Sequence, residues 1–392
     1  MKPLDILIKL RNSDKKLFDV PVSVQNDMLL HLGPASNDFE RSYKQFRGRH
    51  LFYHKWKEVI VEIGSFFVLP FYIIYGLVEF LFNRKPIDKK DAVGDFTKFE
   101  EIIPQSLRNE FSIDNTVWGG GRMLSFSDIG IIWKLFTLYP IPCLVLKNAI
   151  KLSYYRYVIN KYKPRAIIVH NEASYTSSIS TLLCERNGVQ HINVMHGEKI
   201  FYIGDGYFRF TRCYVWNEYY KNLFIEMNAE ANQFIVEVPP SFKIDSKKYY
   251  REDAFADFKY YLQNFTEEEI KNIIDSLAFV KRLGKTIKFR PHPRGHNLEL
   301  LKKYVKETDI EYPSEVSILE SISSMDCAVG SFSTVMNQAY YSGKKVIFDD
   351  VNYPEIYKKL KEYKYYFSNT PHNTLSTFVH DDLEHCHEVV LY

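Results

Sequence analysis

At 392 residues the chain is long enough for two domains. Its composition, 46% hydrophobic and 25% charged, is that of a globular protein, and a formal charge of +3 without a long basic block argues against a nucleic-acid role. Cys143, Cys184, Cys213, Cys327 and Cys386 lie far apart, none in a C-x-x-C pair, and their odd number argues against a disulfide framework and fits a reducing compartment.

The chain opens Met1-Lys-Pro-Leu-Asp, without the apolar core of a signal peptide, so a cytoplasmic protein is expected. From Ile63 to Val78 the sequence carries no charge, with Pro70 and Gly76 inside the run. It falls short of the ~20 apolar residues of a spanning helix. His54-Lys-Trp-Lys57 precedes it and Asn83-Arg-Lys85 follows. Apolar helical segments are expected at 61–82 and 129–147, the second interrupted by Lys134, Pro140 and Pro142. Three readings apply: buried core helices, a monotopic surface that touches the inner membrane, or spanning helices, in that order.

From Lys163 the pattern alternates strand and helix. Pro164–His170, Gln190–Met195, Arg212–Trp216 and Gln233–Val238 read as strands, and Tyr175–Asn187 as a helix stopped by Gly188. Pro239-Pro240 and the polar stretch Lys243–Asp253 read as a linker. The pattern then restarts with a strand at Phe255–Leu262. A capping box at Thr266–Glu269 opens a helix to Leu283, and Thr286–Arg290 is the next strand. Helices over Asn297–Thr308, Ser317–Ser324 and Ser333–Ser342 and strands at Cys327–Gly330 and Lys345–Phe348 complete it. This predicts an α/β fold of two Rossmann-like doubly wound domains facing a central cleft. The expected limits are 1–240 for an acceptor-side domain, 241–375 for a donor-binding domain and 376–392 for a polar tail. That tail holds many His, Asp and Glu residues, without a zinc spacing.

Two loops carry the sharpest chemistry. Arg290-Pro-His-Pro-Arg294 sits where a strand ends, and its prolines stiffen a loop that offers guanidinium and imidazole donors to a phosphate. A structural turn with solvated arginines is the plain alternative. Gly330-Ser-Phe-Ser-Thr-Val335 places Ser331, Ser333 and Thr334 at a helix start, where amides and the dipole attract an anion. The loops lie about forty residues apart, one βα repeat, so both belong to the same edge of a parallel sheet. A third signal is His196-Gly197-Glu198 after a strand. His196, Glu198, Glu172 and Asp205 are candidate general bases for an acceptor hydroxyl, and Tyr202, Tyr207 and Phe208 candidate stacking partners for a sugar.

The order HG, R-P-H-P, then G-S-F-S-T before a helix resembles bacterial surface-polysaccharide transferases of the GT-B fold, over roughly Lys163 to Asp350. The His-Pro and Ser-Ser/Thr motifs are similar to those of bacterial sialyltransferases, which use CMP-sialic acid. The HG and R-P-H-P motifs are also similar to those of teichoic-acid polyol-phosphate transferases, which use CDP-polyols. The sequence departs from both. Gly204-Asp205-Gly206 matches the sialyltransferases' acidic motif only in part, and Glu198-Lys-Ile is not the polyol transferases' usual continuation. The resemblance implies a nucleotide-sugar donor whose cytidine phosphates meet His292, Ser331, Ser333 and Thr334, and the two loops add Arg290, Arg294 and Gly330 as candidate donor-binding residues. It implies a glycan or lipid-linked acceptor, and no cofactor beyond the donor. No D-x-D, P-loop or G-x-G-x-x-G motif occurs, and no metal site is expected. The expected activity is inverting, metal-independent sugar transfer in capsule, lipopolysaccharide or other surface-polysaccharide synthesis. Rival readings are a CDP-polyol phosphotransferase, a non-catalytic membrane-surface assembly protein and a nucleotide-sugar epimerase.

Overall fold

The computed structural model describes residues 15–82, 87–94, 100–115, 121–293 and 297–380. Arg294, Asn83-Arg-Lys85, Gly119-Gly120 and the tail from Asp381 lie outside them. The chain divides into two compact units, Met1–Glu237 and Val238–Tyr392, each built on one parallel sheet.

In the first unit the strands are β1 (Ala92–Gly94), β2 (Ile113–Asn115), β3 (Ala166–Val169), β4 (Gln190–Val194), β5 (Arg212–Val215) and β6 (Phe234–Val236). They run in the order β2-β1-β3-β4-β5-β6, every pair parallel. β3 reads Ala-Ile-Ile-Val and is buried at all four positions, as a strand covered on both faces must be. β1 and β2 add two strands that the sequence reading did not find. Each is three residues long, too short to show a period.

The helix Pro142–Tyr162 is the pillar of this unit. Pro142 takes the first turn, where no amide partner is needed. The helix packs against Lys55–Phe82, Phe126–Leu138 and Ser177–Arg186. Its buried Arg156 grips Asp128 with two hydrogen bonds, 2.8 and 2.7 Å, and Asn187 with a third of 2.8 Å. The expected 129–147 segment is therefore two helices. Pro140 and Pro142 disfavour the helical conformation at the residues before them and break the run at Tyr139–Ile141.

The 61–82 segment is one helix, Lys55–Phe82, and it is not a core helix. Only Val61, Ser65, Tyr72 and Gly76 are buried. The helix continues through exposed Pro70. It also continues through Gly76, whose lack of a side chain lets Leu124 pack close: a Cβ there would meet Leu124 at 2.8 Å.

In the second unit the strands are β7 (Ala256–Tyr261), β8 (Ile287–Arg290), β9 (Met325–Gly330), β10 (Lys345–Phe348) and β11 (Asn373–Thr374). The order β8-β7-β9-β10-β11 is all parallel and reverses direction between β7 and β9. Phe258, Tyr260, Ile273, Phe289, Val329 and Phe378 share one core. Capping boxes at Thr266–Glu269 and Ser317–Glu320 open two helices. The helix expected to reach Leu283 breaks at Leu277 into Glu267–Ser276 and Ala278–Arg282, and the expected linker holds a short helix, Ser246–Tyr249.

Asp128→Ala leaves the Arg156 guanidinium buried without its carboxylate. It is expected to destabilise the first unit by about 3–5 kcal/mol, read as a lower urea midpoint for that unit. An unchanged midpoint contradicts the pillar role of this pair.

Candidate functional sites

In a parallel sheet every strand delivers its loop to the same edge, and a ligand settles where the strand order reverses. In the second unit that point lies between β7 and β9, and a cleft of about 250 Å³ opens there. Leu262 and Gln263 follow β7, Arg290 to Pro293 end β8, and Ser333 to Val335 begin the helix after β9; all line it. His292 is exposed and also lines an adjoining cavity of about 410 Å³ with Leu298, Tyr312 and Pro313.

The helix Thr334–Tyr341 presents its start to this cleft. Its first amides have no acceptor within the helix, and the dipole favours negative charge there. Ser333 is already occupied in part: its hydroxyl accepts from the Val335 amide at 3.3 Å. Gly330 and Ser331 are buried and do not line the cleft. A Cβ at Gly330 would press on Met336 Sδ and Tyr261 O, each 3.3 Å away, so this glycine sets the packing behind the loop.

Arg290 also departs from the expected role. It is buried, and its Nη1 donates to Glu311 at 2.7 Å rather than reaching outward. Glu311 is buried too and takes a second cation, Lys259. Burial pulls the Lys259 ammonium down to about 8, against the pull of Glu311. Below that pH two cations face one carboxylate, which leaves one positive charge in excess beneath the cleft. Arg290 thus lines the cleft while its Nη1 is tied to Glu311.

The first unit carries its own strand-end cluster. His170 and Glu172 follow β3, and His196 and Lys199 follow β4. Glu172 has no exposed surface. His196 Nδ1 stands 3.4 Å from Glu172 Oε2, and Lys199 Nζ stands 3.5 Å from the same oxygen. Lys199 also faces Asp205 at 3.6 Å. Gln45 ties the two loops together, donating to Glu172 O at 2.7 Å and Gly204 O at 2.9 Å, and Arg49 donates to Ala173 O.

The charges explain the different behaviour of the two acids. Burial opposes ionisation of Glu172, but Lys199 and His196 together hold its carboxyl down at about 2. Burial raises Asp205, and Lys199, shared with Glu172, does not reverse it. Glu172 is thus a fixed anion. It suits orienting His196 better than accepting a proton, because a base of such low pKa has little proton affinity. His196 keeps about a third of its side chain exposed (32%). Glu198 is half-buried, and Gly197 between them takes φ +85° with open space around it.

Sequence reasoning named His196, Glu198, Glu172 and Asp205, and the structure gathers Glu172 and Asp205 around Lys199, with His196 beside Glu172. It did not single out Lys199, His170 or Arg49. The His170 ring lies 4.6 Å from that of His196, a proximity that follows only from the pairing of β3 with β4. The expected stacking platform is corrected. Tyr207 and Phe208 are fully buried, and Phe208 packs edge-on against Phe224 at 5.1 Å. Tyr202 packs edge-on against Phe52 at 4.9 Å. Asp349 and Asp350 serve internal bonds: Asp349 accepts from Tyr260, Val351 and Asn352, and Asp350 from Ser376.

Fold and sites define a class: a protein of two parallel-sheet α/β units, each with polar residues at its strand-end edge. No known protein family matches the sequence, and no curated protein matches it. Among solved structures, the wall teichoic acid polymerase TagF aligns over 86% of this chain and 90% of its own, at 11% identity and a TM-score of 0.44. A UDP-GlcNAc 2-epimerase from Methanocaldococcus jannaschii aligns over 69% and 86%, at 15% identity and a TM-score of 0.40. A UDP-N-acetylglucosamine 2-epimerase from Rickettsia bellii aligns over 67% and 79%, at 12% identity and a TM-score of 0.35.

Lys199→Met removes the cation shared by two buried carboxylates and is expected to cost about 3–5 kcal/mol at neutral pH. Because the folded Glu172 carboxyl lies at about 2, below its ordinary 4.5, its stabilising share is complete above 4.5 and is lost as pH falls toward 2. The variant is expected to lose less on acidification across that window. Urea titrations on both sides of pH 4.5 check it, and equal neutral-pH stability of the two proteins contradicts it.

Proposed function

We propose that this chain is a metal-independent transferase that moves a sugar unit from a nucleotide-activated donor, of the CMP-sugar kind, to a hydroxyl of a surface polysaccharide. The observation that carries the reading is the cleft shared by His292 and the start of the Ser333–Tyr341 segment. A stiffened imidazole loop and a helix N-terminus at one strand-order reversal suit a phosphate, and the adjoining cavity along Leu298 and Tyr312 suits the nucleoside attached to it. The resemblance of the R-P-H-P and G-S-F-S-T motifs to surface-polysaccharide transferases points the same way.

Each unit carries its own candidate groups. In Met1–Glu237, His196 takes the proton of the acceptor hydroxyl, with Glu172 holding the ring and balancing the imidazolium that forms. The acceptor oxygen bonds to the anomeric carbon as the bond from that carbon to the donor phosphate oxygen breaks. The leaving phosphate keeps the electron pair. In Val238–Tyr392, His292, the Thr334 helix start and the excess charge of the Lys259–Glu311–Arg290 group stabilise it. Attack opposite the leaving group inverts the anomeric centre.

A second reading is favoured by the His196-Gly197 pair, which resembles that of the polyol-phosphate transferases. The same groups would then serve attack on phosphorus, with the polyol phosphate transferred. Separate incubations with CMP-sugars and CDP-polyols decide between the two, by which donor yields a labelled polymer. On either reading His196→Ala is expected to lower turnover about 10²–10⁴-fold while donor binding persists. Full turnover in this variant removes His196 from the mechanism.

A further inference from the structure

The Lys55–Phe82 helix inverts the usual arrangement of a surface helix, whose apolar stripe faces the protein. Its outward positions carry twelve large apolar side chains, from Trp56 and Ile60 through Phe67 and Phe71 to Phe82. Phe71 is 73% exposed and Phe82 80%. From Trp56 onward no charged residue is fully exposed on this helix. The stripe is about 40 Å long at 1.5 Å per residue. A soluble monomer rarely exposes a contiguous apolar patch beyond ~600 Å².

The acids sit off this face. Glu62 accepts from the Cys143 amide at 2.8 Å, and Glu58 pairs with His50 at 2.9 Å. The inward face is sealed along its length: Tyr72 bonds Ser153 at 2.6 Å, and Gly76 lies against Leu124. The helix is long and apolar enough to cross a bilayer, but the folded unit covers one side of it, an arrangement that suits lying in the interface plane.

We propose that this stripe docks the protein on an anionic lipid bilayer, lying in the interface plane with its phenyl groups among the acyl chains. Two features favour lipid over a second copy of the chain. First, tryptophan and lysine occur together where headgroups would be. Lys55-Trp56-Lys57 begins the helix, with Lys57 Nζ 5.3 Å from the Trp56 ring centre, and Trp133-Lys134 is exposed on the Phe126–Leu138 helix. Indole rings and snorkelling ammonium groups mark the boundary of a bilayer and attract anionic headgroups. Second, protein interfaces average about one hydrogen bond per 100–200 Å², and from Ile60 to Phe82 the fully exposed positions offer Tyr75 as their single polar side-chain group.

The test is flotation of the full chain with vesicles of phosphatidylcholine alone or mixed with phosphatidylglycerol. The wild type is expected to float with the mixed vesicles and less with the neutral ones. The double variant Phe67→Ser, Phe71→Ser removes two exposed rings and is expected to bind the mixed vesicles at least about tenfold more weakly. Its unfolding midpoint should match the wild type, since neither ring is buried. Equal flotation of variant and wild type overturns the proposal. So does a wild type that floats with neither vesicle, and a dimer in light scattering that the double variant dissolves would then assign the stripe to a second copy.

Discussion

Within each sheet every pair of neighbouring strands is parallel, and the chemistry depends on that constraint. Parallel strands release their loops at one edge, so residues far apart in sequence meet there without any local motif. In the second unit the constraint brings the loops after β7, β8 and β9 to one cleft. In the first it sets His170 and Glu172 beside His196 and Lys199. The loops differ in what they add: the second unit supplies an anion-attracting edge, the first a histidine held by a buried carboxylate.

Both edges handle buried charge by unequal sharing. Glu172 and Asp205 share Lys199, and Lys259 and Arg290 share Glu311. A matched buried pair is locally neutral. A two-to-one group keeps a residual charge, positive beneath His292. A residual positive charge draws phosphate. Such groups exact a desolvation cost.

Much of this was legible in the sequence. β3 is an unbroken apolar run that ends at His170, and β7 and β8 interleave apolar with polar residues between turn signals, so their places and the loops after them could be read directly. The convergence of His292 with Ser333 and Thr334 followed from one βα repeat of spacing. What escaped notice has physical causes. β1 and β2 are three residues each and lie outside any periodic segment. Arg49 and Gln45 reach the site from a helix more than a hundred residues upstream, and nothing local marks them. Tyr207 and Phe208 looked like a sugar platform because composition does not tell an exposed ring from a buried one. By sequence the apolar run at 61–82 suits either a core helix or a membrane-surface helix. Only the packing showed that its apolar side faces outward.

The central claim is that the cleft beside His292 holds a phosphorylated nucleotide. Calorimetric titration of the full chain with CMP, CDP, UDP and GDP, repeated on His292→Ala, tests it most directly. The account predicts a cytidine nucleotide that binds the wild type with one-to-one stoichiometry and loses most of its affinity in the variant. Absence of heat with all four nucleotides, or equal affinity in wild type and variant, would contradict it.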